Sequence, residues 1–178
     1  MKRRKKVAVV RCFGSAAMRM KQEGRQEAGS CNALKETDTG DAAACPWGCL
    51  GGGSCAEACP KDAITLTEGK PARVDTEICI GCGKCVKTCP QQLISLVPAE
   101  NVIQPLCSST AGAKETRAVC SAGCIGCGIC EKACPAGAVH VVDQHAVIDQ
   151  ECCIACGMCA VKCPRGVIHD RNGIFTIS

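Results

Sequence analysis

Twenty-one of the 178 residues are cysteine, and their spacing defines the chemistry open to this chain. Three segments read C-x2-C-x2-C-x3-C-P without deviation. They are Cys79-Cys82-Cys85-Cys89-Pro90, Cys124-Cys127-Cys130-Cys134-Pro135 and Cys153-Cys156-Cys159-Cys163-Pro164. This spacing wraps a [4Fe–4S] cubane: two-residue gaps let one short loop present three thiolates, and the fourth cysteine is carried on to the cluster of a partner motif. Glycines beside the ligands (Gly81, Gly83, Gly126, Gly128, Gly157) let backbone N–H groups approach the sulfurs. A fourth segment, Cys45-x3-Cys49-x5-Cys55-x3-Cys59-Pro60, keeps the C-x3-C-P end. Its longer gaps, filled by Leu50-Gly51-Gly52-Gly53, read as a stretched version of the same motif.

Crossing the fourth ligands between neighbouring motifs predicts four sites. The first is Cys45, Cys49, Cys55 and Cys89; the second Cys59, Cys79, Cys82 and Cys85. The third is Cys124, Cys127, Cys130 and Cys163; the fourth Cys134, Cys153, Cys156 and Cys159. Zinc competes for C-x2-C pairs, but a four-thiolate zinc site takes two separated pairs, not evenly spaced triplets with a trailing Cys-Pro. Five cysteines lie outside these sets. Cys12, Cys31, Cys107 and Cys120 are candidates for a fifth cluster; the alternative is that they are small buried hydrophobes or free thiols. Cys12 ends one apolar stretch and Cys107 follows another, so pairing of those two strands would bring their thiols close. Cys152, next to the ligand Cys153, reads as a spare thiol. His140, His145 and His169 read as surface or packing residues. No Ser–His–Asp pattern, G-x-G-x-x-G or P-loop occurs. The sequence therefore predicts no catalytic residue and no substrate, flavin or nucleotide site.

The composition agrees with cluster burial. Leu, Ile, Val and Phe make up about a fifth of the chain, with one Trp, two Phe and no Tyr. That is too little for an ordinary core, while the formal charge of +4 is small for a disordered chain. Bound clusters replace the missing core. Lys84, Lys87, Lys132 and Lys162 lie within or beside the motifs, where they offset cluster charge or sit as solvated surface residues. No apolar run is long enough for a transmembrane helix. Lys2–Lys6 resembles a signal n-region, but Val7–Val10 is too short for the apolar region that must follow. Without export, a disulfide scaffold is not expected. Scarce aromatics and a pI near 8.2 give nucleic-acid binding no support.

These ligands need elements to hold them. Each Cys-Pro opens a repeat of turn and short strand: CPKDAITL, CPQQLISL, CPAGAVHV and CPRGVIHD. The spacing predicts hairpins over 63–75, 138–148 and 167–177. Val7–Val10 is a further strand candidate, and Ala16–Glu27 has helical composition. The predicted organisation is an N-terminal segment with one strand (1–40), a first two-cluster domain (41–97), a linker (98–119) and a second two-cluster domain (120–178). The fold class is α+β: two tandem ferredoxin-like domains, each with two [4Fe–4S] clusters, short hairpins and short helices.

A family resemblance adds to this. VAVVRC at Val7–Cys12, CPWGCLGGGSCAEACPKDAI at Cys45–Ile64, CSS at Cys107–Ser109 and CSAGCIGCGICEKACP at Cys120–Pro135 resemble the B-type subunit of the Rnf electron-transport complex. The resemblance is to the ferredoxin-like part of that family, without its N-terminal membrane anchor and first four-cysteine domain. It implies low-potential electron transfer along four [4Fe–4S] clusters, with a fifth where Cys12, Cys31, Cys107 and Cys120 match cysteines of longer members. Its partners would be ferredoxin or other Rnf-type subunits, and its place the cytoplasm, at the inner face of the membrane. A free polyferredoxin, or an electron-input subunit of another anaerobic oxidoreductase, is the alternative. A cluster-based redox or iron sensor is a second alternative; it would need a conformational switch, and no effector domain is visible.

Overall fold

Strand formation begins wherever a β-branched run follows a Cys-Pro turn. The computed structural model describes residues 4–14, 30–36, 45–67 and 69–175. The predicted helical stretch Ala16–Glu27 lies outside the described residues. Within them, eight short strands form four two-stranded antiparallel sheets. After Cys59, β2 (Ile64–Thr65) folds back on β3 (Arg73–Val74). After Cys134, β6 (Val139–Val142) folds back on β7 (His145–Ile148). The turn residues Asp143 and Gln144 both hold left-handed φ, 44° and 66°, which matches the twist of a two-residue hairpin.

The other two repeats take their partners from a distance. After Cys89, β4 (Ile94–Pro98) pairs with β1 (Lys6–Val10), in register Val7↔Val97 and Val10↔Ile94. After Cys163, β8 (Ile168–Asp170) pairs with β5 (Ile103–Pro105), in register Gln104↔His169. The strand predicted to begin a hairpin over 167–177 thus pairs at long range, and the end of the predicted return strand, 176–177, lies outside the described residues. Asp170 turns the chain instead, its carboxylate accepting the N–H groups of Asn172, Ile174 and Phe175. Segment 98–119 carries β5 and a helix at Ala113–Val119. The Asn101 and Gln104 side chains bond Gln150 (2.9 and 3.1 Å), tying this segment to the second pair of repeats.

Order within each half is thus the same: a leading strand, a hairpin, and a closing strand that returns to the leader. The buried apolar residues divide likewise. One cluster joins Val7, Ala8 and Val10 to Ile64, Ala72, Ile94 and Val97. The other joins Ile103 to Val139, Ala146, Ile148, Val167 and Ile168. Cysteines Cys55, Cys79 and Cys85 belong to the first, and Cys124, Cys130 and Cys159 to the second. Among the described residues no helix is long and apolar enough to cross a membrane.

Candidate metal centres

One local device repeats four times. A glycine in left-handed conformation precedes a one-turn helix: Gly53 (φ 80°), Gly83 (77°), Gly128 (72°) and Gly157 (73°). The cysteine two residues later (Cys55, Cys85, Cys130, Cys159) lies in that turn and is buried. A side chain at these glycines would be strained, because L-residues rarely hold such φ. A second device follows each Cys-Pro. The chain turns, and the N–H four residues after the cysteine donates back to its sulfur. Ala63 donates to Cys59 Sγ (3.4 Å), Leu93 to Cys89 Sγ (3.5 Å), Ala138 to Cys134 Sγ (3.3 Å) and Val167 to Cys163 Sγ (3.3 Å). Backbone donors aimed at sulfur favour a charged thiolate and tune a bound cluster.

The cysteines stand around cavities. Cys59, Cys79, Cys82 and Cys85 wall one. Cys124, Cys127, Cys130 and Cys163 wall a second, and Cys134, Cys153, Cys156 and Cys159 a third. In each, three cysteines of one motif meet the trailing cysteine of its neighbour. Among the described residues no three His, Cys, Asp or Glu side chains gather to hold a single metal ion. A cubane needs a different arrangement: four thiols spaced around a body of four irons, each taking one. The donor chemistry fits that body, being all thiol with backbone N–H groups on the sulfurs.

Burial makes these thiols hard to ionise without a metal. It pushes Cys130 up to about 11, and neighbouring Cys124 and Cys163 add to the rise. Burial likewise pushes Cys159 up to about 12, with Cys153 and Cys134 adding while the Ala160 N–H opposes. A coordinated cluster supplies the positive charge that holds such groups as thiolates.

The structure divides the cysteines of the first motif differently from the spacing. Burial pushes Cys55 up to about 12, and the neighbouring thiols that add to it are Cys49, Cys31 and Cys89. Cys31 begins the helix Cys31–Glu36, and its N–H donates to Ser54 Oγ (2.9 Å), next to Cys55. Cys45 instead lines a cavity with Cys12, Cys107 and Cys120. Burial pushes it up to about 11; the Trp47 backbone opposes this, and Cys12, Cys120 and Cys107 reinforce it.

The signal for this division is present in the sequence. Cys49 and Cys55 have the same spacing as Cys124 and Cys130, which the stretched reading of the first motif does not use. Gly52 occupies the position of Cys127, and a Cβ on it would lie 2.7 Å from the Cys31 backbone nitrogen. A distant cysteine thus lies beside the position that lacks a local one. Cys12 and Cys107 share a cavity although their strands do not pair, β1 taking β4 and β5 taking β8. Cys152 is exposed, and the Asp149 carboxylate beside it raises its thiol.

Comparison with known proteins gives the following similarities. The chain is 42% identical over 148 residues to the B subunit of the proton-translocating ferredoxin:NAD(+) oxidoreductase complex of Clostridium ljungdahlii, covering 82% of this chain and 51% of that protein. It therefore spans about half the length of that curated relative. A solved formate dehydrogenase–heterodisulfide reductase–formylmethanofuran dehydrogenase complex from Methanospirillum hungatei contains a chain 21% identical to it. That match covers 68% of this chain and 51% of the other, with a TM-score of 0.26. The 4Fe-4S dicluster domain family matches residues 47–92 and 78–138, and a second model of the same description matches 123–168. The chain belongs to the 4Fe-4S dicluster domain family.

Proposed function

We propose that the chain conducts electrons through its [4Fe–4S] clusters as the B-type subunit of an Rnf-like ferredoxin:NAD(+) oxidoreductase complex. Four cluster sites carry this reading: Cys31, Cys49, Cys55 and Cys89; Cys59, Cys79, Cys82 and Cys85; Cys124, Cys127, Cys130 and Cys163; Cys134, Cys153, Cys156 and Cys159. The chief support is the thiol-walled cavity made by three cysteines of one motif and the trailing cysteine of the next. Bound cubanes supply one-electron chemistry; the protein holds them, shields them from water and sets their charge environment. The chain itself has no substrate site in this reading.

Electrons must also enter and leave. Cys82 and Cys127 are exposed, so two of the sites reach the surface. Exposed apolar residues flank other ligands: Ile78 and Ile80 beside Cys79, and Ile154 beside Cys153. Apolar patches rimmed by polar residues suit brief docking of a redox partner. The partners proposed are a reduced ferredoxin and the other subunits of such a complex, at the cytoplasmic face of a membrane.

The test is anaerobic mixing of the purified protein with reduced ferredoxin, followed by electron paramagnetic resonance. Cluster signals should appear at once, and the complete complex should reoxidise them when NAD+ is added. Iron present but never reduced by ferredoxin would contradict the reading.

A further inference from the structure

The two halves of the molecule meet at a set of cysteines that none of the four sites uses. Each half contributes two of them in equivalent ways. In the first, β1 ends at Val10 and Cys12 follows two residues later; in the second, β5 ends at Pro105 and Cys107 follows two residues later. The residue between is held alike in both: Arg11 N–H donates to Leu93 O (2.7 Å), and Leu106 N–H to Val167 O (2.9 Å). Leu93 and Val167 each lie four residues after a trailing cysteine, so the two halves superimpose in pattern.

The other pair repeats as well. Cys45-Pro46-Trp47-Gly48-Cys49 and Cys120-Ser121-Ala122-Gly123-Cys124 share the pattern C-x2-G-C. Both form the same turn, with Gly48 N–H on Cys45 O (3.0 Å) and Gly123 N–H on Cys120 O (3.4 Å). The cysteine that ends each turn then donates its N–H across to the first pair. Cys49 bonds Cys12 Sγ and Cys124 bonds Cys107 Sγ, both at 3.4 Å. Four thiols, two from each half, thus line one cavity with two backbone N–H groups already aimed at their sulfurs.

That cavity also has a half-buried cation on its wall. Arg11 lines it, and its Nη2 is buried without a hydrogen-bond partner. A buried guanidinium nitrogen with nothing to bond is costly. Four neutral thiols do not answer it, whereas a dianionic thiolate-ligated cubane does. A second arginine, Arg165, braces the turn from outside, donating to Cys120 O (2.7 Å) and Gly123 O (3.2 Å).

We propose that Cys12, Cys45, Cys107 and Cys120 bind a fifth [4Fe–4S] cluster at the joint between the halves. It links the site of Cys31, Cys49, Cys55 and Cys89 to that of Cys124, Cys127, Cys130 and Cys163. The two N–H···S bonds named above run from a ligand residue of each flanking site to a sulfur of this one. Electrons pass one at a time, from a reduced iron–sulfur donor at one end to an oxidised acceptor at the other, with no bond made or broken. The same cluster crosslinks the two halves. The inference rests on the electron-transfer reading above and completes it, since it makes two separate pairs of clusters one continuous path.

Iron and acid-labile sulfide per chain, with zinc assayed in parallel, test it in the reconstituted full chain. The wild type should hold about 20 iron, against about 16 for four clusters alone. The Cys107→Ser/Cys120→Ser variant should fall to about 16, and Cys152→Ser should stay at about 20. Wild-type protein at about 16, or zinc filling the joint, overturns the fifth site and leaves the four others standing. A wild type without iron overturns the electron-transfer reading itself. The wild-type count decides even where the double variant fails to fold.

Discussion

Gly52 stands three residues after Cys49, as Cys127 stands three residues after Cys124, and Cys31 is packed against it. Cys31→Ser should therefore cost one cluster, about 4 iron. The pair Cys31→Ser/Cys55→Ser should cost no more, because both residues belong to one site. The pair Cys31→Ser/Cys45→Ser should cost about 8, because they belong to two. Iron analysis of the three variants checks this; equal losses in both pairs would return Cys45 to the site of Cys55. Arg11 gives a second prediction at this scale. Removing a half-buried positive charge disfavours reduction, so Arg11→Met should lower the potential of one cluster and leave the rest unchanged. A redox titration followed by electron paramagnetic resonance reads the shift, and an unchanged or raised potential would count against a cluster beside Arg11. Most of the proposed ligand positions were legible because their spacing is local. The division of Cys31 and Cys45 was not, since it depends on which distant segments fold together. The clue was a comparison between motifs: Gly52 in the Cys127 position, and C-x2-G-C occurring twice.

The elements that present the ligands are one turn of helix and a few residues of strand, so their stability lies in special backbone positions. Gly83 holds φ 77° with room for a methyl group, the nearest atom to an added Cβ being Leu96 Cδ1 in ordinary contact at 3.6 Å. Gly83→Ala should thus cost only the left-handed strain, about 1–2 kcal/mol. Gly81→Ala should cost clearly more. Its Cβ would lie 2.2 Å from Lys6 O, on the backbone of β1, so β1 or the loop must move. Anaerobic denaturant unfolding followed by cluster absorbance compares the two; equal costs would mean that β1 does not pack on this loop. The hairpins β2–β3 and β6–β7 could be read from the sequence because strand, turn and return strand adjoin. The pairs β1–β4 and β5–β8 could not, because their partners lie far apart and several short apolar stretches compete. For the same reason β5 does not show in the 98–119 segment, nor its pairing with β8 in the run after Cys163.

Across the whole molecule, two small apolar clusters each draw on buried cysteines, so folding and cluster binding are coupled. Removing iron with a chelator and a mild oxidant should unfold the chain, seen as loss of circular dichroism. A stable, native-like apoprotein would show that the apolar residues suffice alone. Ile103, 1% exposed, belongs to β5 and to the second apolar cluster, so Ile103→Ala should cost about 2–5 kcal/mol. If 98–119 were only a connection, the cost would be negligible. The most direct test of the whole account is the number of electrons the intact protein accepts, by anaerobic coulometric titration against a low-potential mediator. A path of five joined clusters takes up about five electrons per chain, reversibly, at potentials a ferredoxin can reach. A protein that takes up none, or loses its clusters on the first reduction, is not an electron carrier.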